Sequence, residues 1–419
     1  MSCHMCGGSF SITYYNQYVT IVFVKERRRM DMEKTSSAYF GKDTTAVIKG
    51  VALVMMFYHH FFTFPDWWVE GVSYPLLAKL APYFCAPLKI CGCVFCFLTG
   101  YFYFFNQKRD YKYSFRKITD ILIHYWFVFF IYAIIAVVAV SYKYTLGNFV
   151  KEMFALTTEG LSLRPTMFFC WYVHFFITVM LILPLITKLL GKNIHLDMFI
   201  SWIGFPLLVA LVVRITDGLF NSLVIHEVLC DLVWFSSVLT GFIFARYGLF
   251  EKLEAFNKKY IKSNAGNIVL WLLIAIIIPM GRYFAPNLML SVGGLNYPNV
   301  VILSIDDLPM IGETFSYAFP LDVIYTPLFI YSLVNLIKAC KLTHLNKVLA
   351  VIGKYSLLMW FVHSIFFNNS KSVFQPILYW PKNPVLVLLW GLALALGVSF
   401  VFDIVIKRIV DFKNRYLFK

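Results

Sequence analysis

Apolar residues recur along this chain in blocks of about 20, separated by short polar segments, and a block of that length spans a bilayer as an α-helix. Ten blocks are predicted, over residues 45–64, 86–105, 118–141, 166–189, 196–214, 228–247, 266–284, 319–338, 346–367 and 384–407. No internal repeat or low-complexity stretch interrupts them. Residues 41–419 therefore read as one all-α, polytopic membrane helix bundle. Residues 1–40 stand apart. Positions 9–24 mix polar and β-branched residues, Lys25-Glu26-Arg27-Arg28-Arg29 follows, and Met30 and Met32 precede an ordinary start. They are read as an N-terminal extension, disordered or upstream of the true start, without a signal-peptide cleavage site.

The polar segments set the orientation. Lys108, Arg109, Lys112, Arg116 and Lys117 crowd the 106–117 loop, and Lys252, Lys258, Lys259 and Lys262 crowd 248–265. Lys338, Lys341 and Lys347 surround the next even-numbered connection, while 285–318 offers Asp306, Asp307 and Glu313 alone. Cation-rich loops stay in the cytoplasm, so both termini are expected there. An even span count agrees.

Composition sharpens the class. Hydrophobic residues make up 60% of the 419 and charged residues 14%, with mean hydropathy +0.72. A soluble domain carries about a quarter charged residues. The net charge of +15 would suit nucleic acid, but its confinement to alternate loops fits a membrane protein instead, and no nucleic-acid partner is expected. Cysteines such as Cys91, Cys93, Cys96, Cys170 and Cys230 lie in apolar runs and read as small hydrophobes. Cys3 and Cys6 lack a second pair at metal-ligand spacing, so no metal is predicted.

Chemistry concentrates in Lys49-Gly50-Val51-Ala52-Leu53-Val54-Met55-Met56-Phe57-Tyr58-His59-His60. Eleven helical residues turn about 20° beyond three full turns, so Lys49 and His60 share a face roughly 16 Å apart. His59 points about 100° away. Histidine in a membrane span marks a functional site, and imidazole can take a proton from a hydroxyl at neutral pH. Lys49 is placed at the cytoplasmic entrance and His60 about halfway across. Arg116 and Lys117 could cradle phosphates, although a basic cluster also serves as a topology signal. Trp171 and His174, in Cys170-Trp171-Tyr172-Val173-His174, read as interface anchors or as an aromatic platform for a sugar. His363 closes a similar apolar run after Lys354. With His60, His174 and His363, the groups His226, Glu227, Asp231, Arg282 and Asp322 fall toward the outer half. A serine nucleophile elbow, a phosphate-binding glycine loop and an HExxH motif are absent from the chain.

Taken in order, these pieces resemble the integral-membrane acyltransferase family 3. Lys49-x10-His60 is similar to its Arg-x10-His motif. The segment from Leu88 to Thr99-Gly100-Tyr101 resembles its second helix, which ends Ser-Gly-Tyr or Ser-Gly-Phe. Ser114-Phe115-Arg116-Lys117 resembles its basic motif, Trp171-Tyr172 with Pro184 its fourth helix, and Gly353-Lys354-Tyr355-Ser356 through His363 its late histidine helix. Two positions depart: lysine stands where arginine is usual at 49, and the second arginine of an Arg-x-x-Arg pattern after Arg116 is unmatched.

The resemblance implies transfer of an acyl group, most often acetyl, from cytosolic acyl-CoA to a hydroxyl of a cell-envelope or capsule glycan that is free or lipid-linked. A bacterial cytoplasmic membrane is the expected location, and acetyl-CoA the donor. His60 matches the essential histidine, with His363 and His59 supporting it. Lys49, Arg116 and Lys117 face the donor phosphates, and Trp171 and His174 line the acceptor side. A proton-coupled transporter or glycan flippase is the alternative, since buried histidines suit transport as well. The paired interrupted helices of many transporters are missing.

Overall fold

A computed structural model describes residues 39, 41–62, 72, 74, 76, 86–106, 109–156, 170–191, 193–216, 232–292, 321–340, 343–366 and 374–416. The helices begin with α1 (Lys42–Phe62), a 3₁₀ turn at Ala86–Lys89 leading into α2 (Ile90–Phe104), α3 (Tyr111–Val140), α4 (Leu146–Met153) and α5 (Tyr172–Leu189). Then α6 (Ile194–Phe199) runs through a π turn at Ile200–Gly204 into α7 (Phe205–Thr216). After a 3₁₀ turn at Leu232–Trp234 come α8 (Phe235–Tyr247), α9 (Leu249–Tyr260), α10 (Asn264–Val292) and α11 (Asp322–Cys340). The chain closes with α12 (Thr343–Lys354), α13 (Ser356–Phe366), α14 (Gln375–Tyr379) and α15 (Pro384–Tyr416). The described residues contain no strand.

Seven helices are long and apolar enough to cross a membrane: α1, α2 with its leading turn, α3, α5, the first part of α10, α11 and α15. The α12–α13 pair would make eight, but it is bent by 74°. The predicted continuous helix over 346–367 is therefore broken at Tyr355, between Gly353 and Ser356, and paired small residues are a recognised cause of kinks. Predicted block 196–214 falls within the α6–α7 run, which is interrupted by the π turn, and 228–247 is realised as α8, since 217–231 lie outside the described residues. The exterior is apolar: Val138, Ile277, Leu272 and Val401 are all exposed. Lipid tails satisfy such a surface, and water would not.

Two segments read as loops are partly helical. Residues 106–117 already hold the first turns of α3, because Asp110 caps it, its carboxylate accepting from the Tyr113 N–H at 2.8 Å. Residues 248–265 hold α9, which starts from Gly248 at φ 58°. Their polar composition hides the helical period from an apolar-block reading. The predicted extension over 1–40 lies outside the described residues except for Tyr39.

Two backbone-to-backbone crossings fix the centre of the bundle. A Cβ at Gly50 would strike the Leu349 carbonyl, and one at Gly353 the Ala46 carbonyl, so α1 and α12 touch through glycines. A Cβ at Gly100 would strike the Val238 carbonyl, and one at Gly241 the Phe97 carbonyl, which locks α2 to α8 in the same way. Small residues at such crossings let backbones approach in a bilayer, where no hydrophobic force drives helices together. Gly100 of the Thr-Gly-Tyr segment thus has a packing reason. Thr99 beside it donates to the Phe95 carbonyl at 3.0 Å and lies 2.5 Å from the Tyr172 hydroxyl, tying α2 to α5.

Candidate active site

His60 lies in the last described turn of α1, and His363 in the last turn of α13. The two rings stack at 20° with centroids 5.0 Å apart, and His60 Nδ1 is 2.9 Å from His363 Nε2. The other nitrogen of His363, Nδ1, bonds the Trp360 carbonyl. A carbonyl can only accept, so His363 carries its proton on Nδ1 and offers Nε2 as acceptor. His60 Nδ1–H must then be the donor between the rings, which leaves the His60 lone pair on Nε2. A base oriented by a second group in this way is the general pattern for proton transfer.

The neighbours hold both rings. Phe57, one turn before His60, packs 5.3 Å from the His363 ring. His59 is buried, with its ring 5.6 Å from His60 at 52°. Lys89, at the head of α2, is close enough for its charge to act on His60.

An aromatic wall includes Trp360, whose backbone carbonyl holds His363. Trp171 packs 5.2 Å from Trp234 and 6.5 Å from Trp360, and Tyr172 packs 5.4 Å from Trp360. Gly92 on α2 makes room for Trp234, since a Cβ there would sit 3.3 Å from the indole. Trp360 is buried, and its Nε1 has no hydrogen-bond partner among the described residues. A buried unsatisfied N–H in a native fold calls for an explanation. Trp234 and Trp360 were not singled out from the sequence. Trp360 stands in the Leu358–His363 run, of which the sequence marks the histidine alone.

At the other end of α1 the predicted cations assemble only in part. Lys49 is half-buried and lies within electrostatic reach of Lys117 on α3. Lys117 also sits 3.9 Å from Asp120, and Lys413 of α15, almost fully buried, pairs with the same carboxylate. Lys413, almost 300 residues downstream of Asp120, is a cation of this region that the sequence did not mark. Arg116 is exposed.

His174 goes elsewhere. It is buried, and its Nδ1 bonds the Ala155 carbonyl at 2.9 Å, tying α5 to the segment after α4. Asp322, also buried, accepts from Cys93 Sγ at 3.2 Å. His226, Glu227 and Asp231 lie outside the described residues, and the Arg282 side chain is likewise not described. No cluster of histidine, cysteine and carboxylate groups that could hold a metal occurs among the described residues.

With this geometry in place, comparison with known proteins is informative. The model of the acyltransferase domain of family 3 matches residues 46–404. The chain belongs to that family. It is an acyltransferase, and its apolar helices make it a multi-pass membrane protein. No curated protein and no solved structure matches it. The matched range takes in α1 through most of α15, so the dyad, the aromatic wall and the Lys49–Lys117 pair all belong to the acyltransferase domain. Membership favours transfer chemistry over the transport alternative.

Proposed function

We propose that this acyltransferase moves an acyl group, acetyl in the first instance, from cytosolic acyl-CoA to a hydroxyl of a cell-envelope glycan, free or lipid-linked, at a bacterial cytoplasmic membrane. The observation that carries the reading is the pairing of His60 with His363 at one end of α1, while Lys49 and Lys117 sit together toward the other. Eleven residues separate the two groups, roughly 16 Å at 1.5 Å per residue. An extended thioester arm suits that interval: anionic phosphates beside the lysines, and the reacting carbonyl near the imidazole.

In this mechanism the acceptor hydroxyl approaches His60 Nε2. Its oxygen attacks the thioester carbonyl as Nε2 takes the proton, and the new C–O bond forms. The C–S bond then breaks, and the leaving thiolate takes that proton back from His60. Charge on the imidazolium spreads to His363 through the Nδ1–Nε2 hydrogen bond. His363 touches neither substrate; it fixes the tautomer of His60 and is a positioning residue. The Trp360 N–H, buried on α13 three residues before His363, is assigned here as a donor for the carbonyl oxygen as it gains charge, the contribution expected of an oxyanion site. Trp171 belongs to the same wall and offers a face on which a sugar can stack.

The test uses purified protein, radiolabelled acetyl-CoA and envelope glycan from the host. Label transfer is expected from the wild type and is lost in His60→Ala at unchanged membrane expression. Retained transfer by that variant would falsify the role given to His60. Transfer from another acyl donor alone would replace acetyl-CoA in the scheme.

A further inference from the structure

A second polar site, sharing no residue with the dyad, lies at the end of the bundle carrying the lysine-rich connections. It is a cavity of about 270 Å³ between α9, the start of α10 and the end of α11. Three buried or half-buried amides form one wall. Trp271 Nε1, which can only donate, bonds Asn257 Oδ1 at 3.2 Å and Asn267 Oδ1 at 2.8 Å, so both oxygens face the indole. Asn257 Nδ2 in turn donates to Asn267 Oδ1 at 3.0 Å and to Asn335 Oδ1 at 3.4 Å. Asn335 Nδ2 gives one proton to the Tyr331 carbonyl at 2.9 Å.

This network uses all three amide oxygens and leaves N–H groups over. The two protons of Asn267 Nδ2 have no protein partner among the described residues, Asn335 Nδ2 being engaged by Tyr331, and both side chains line the cavity. Lys258, Lys262 and Lys338 also line it. Glu254 is the acid in that lining, and its oxygens are engaged: Lys258 at 3.2 Å on one, and Lys338 at 3.9 Å with the Tyr39 and Tyr331 hydroxyls at 3.3 and 3.2 Å on the other. Lys262 is in no ion pair among the described residues. The wall therefore presents donors and positive charge, with the side-chain oxygens of Asn257, Asn267, Asn335 and Glu254 already engaged.

We propose that this cavity binds the phosphate group of a ligand, separately from the donor site around Lys49 and Lys117. Phosphate oxygens accept several charge-assisted hydrogen bonds at once, and the ammonium and amide groups here supply them. A lipid headgroup at the membrane surface and a free phosphate present the same chemistry. The inference rests on the amide network and does not depend on the His60 mechanism.

The full-length protein in detergent is titrated with inorganic phosphate and, separately, with short-chain phosphatidylglycerol, following melting temperature and Trp271-sensitive fluorescence at constant ionic strength. Chloride and short-chain phosphatidylcholine serve as references. Saturable stabilisation by phosphatidylglycerol alone assigns a headgroup, and by inorganic phosphate alone or by both assigns a site for free phosphate; each supports the proposal. Asn267→Asp keeps the oxygen that faces Trp271 but turns the cavity-side donor into an acceptor, and Lys262→Gln removes the charge. Each should weaken binding about tenfold or more, the loss of one charge-assisted contact. Wild-type protein that responds no more to inorganic phosphate than to chloride and no more to phosphatidylglycerol than to phosphatidylcholine overturns the proposal, as does unaltered affinity in both variants.

Discussion

His60 and His363 lie 303 residues apart in the chain, yet their ring nitrogens meet at 2.9 Å, with the Trp360 carbonyl fixing which nitrogen donates. The direction of that hydrogen bond leaves the reactive lone pair on His60 Nε2. Everything assigned to His363 passes through its Nε2.

That dependence predicts an ordered series at position 363. His363→Ala removes the acceptor for His60 Nδ1–H and should lower kcat by about 10²-fold, within the range for loss of oriented acid–base catalysis. His363→Gln keeps an oxygen able to accept that proton and should recover part of the rate. KM for acyl-CoA should not move in either variant. Steady-state kinetics of the purified proteins check this, and equal losses in Ala and Gln would remove the tautomer argument.

Trp360→Phe separates a structural tryptophan from a reacting one. Its indole N–H is buried with no partner among the described residues. Deleting an unsatisfied buried donor is neutral or stabilising. Activity should nevertheless fall, by about 10² to 10³-fold if the N–H meets the developing oxyanion. A melting temperature at or above wild type together with lost turnover is the expected result; an unchanged kcat would relegate Trp360 to packing.

These residues show where sequence reading reaches its limit. The apolar blocks, the Lys49-to-His60 face and the late histidine at 363 were legible because helical period and span length are local properties. The meeting of His60 with His363, and of Lys413 with Asp120, depends on packing between distant helices. The bend at Tyr355 was hidden because both of its arms are apolar. Helices α4 and α9 were missed for the opposite reason, their composition being too polar for a span. Gly50 and Gly353 are visible in sequence, but only the α1–α12 crossing explains why no side chain fits there.

That crossing is itself testable. Gly50→Ala places a methyl against the Leu349 carbonyl, which is backbone and cannot rotate away. Overpacking of this kind costs about 1–3 kcal/mol. Because Lys49 precedes Gly50, the shift should also raise KM for the acyl donor. Gly147→Ala is the control: nothing lies within 4 Å of a Cβ there, and its melting temperature should match or exceed wild type. Thermal unfolding in detergent compares the two.

Acid should loosen the α9 side of the bundle. Burial by itself would raise the Glu254 carboxyl, but Lys258 and Lys338 outweigh it and hold the group below the ordinary 4.5. A depressed carboxylate contributes stability that is fully present above 4.5 and is lost as pH falls through the lower folded value. Melting temperature should therefore drop on acidification below about 4.5, and the drop should be shallower in Glu254→Gln. Parallel pH profiles for the two proteins would refute the assignment.

Asp120 and Lys413 predict an asymmetry between partners. Lys413 is almost fully buried and Asp120 about a quarter exposed, with Lys117 also 3.9 Å from the carboxylate. Asp120→Asn leaves a buried ammonium without its counter-charge, a loss of about 1–3 kcal/mol after allowing for the exposed side of the pair. Lys413→Met replaces the ammonium with an apolar chain of similar length, and Asp120 keeps Lys117 and water. The first variant should destabilise more than the second, and it should free the end of α15 for proteolysis. Because Lys117 acts electrostatically on Lys49, Asp120→Asn should also alter KM for the acyl donor while kcat stays near wild type. Equal melting temperatures and equal KM in the two variants would detach α15 from the donor mouth.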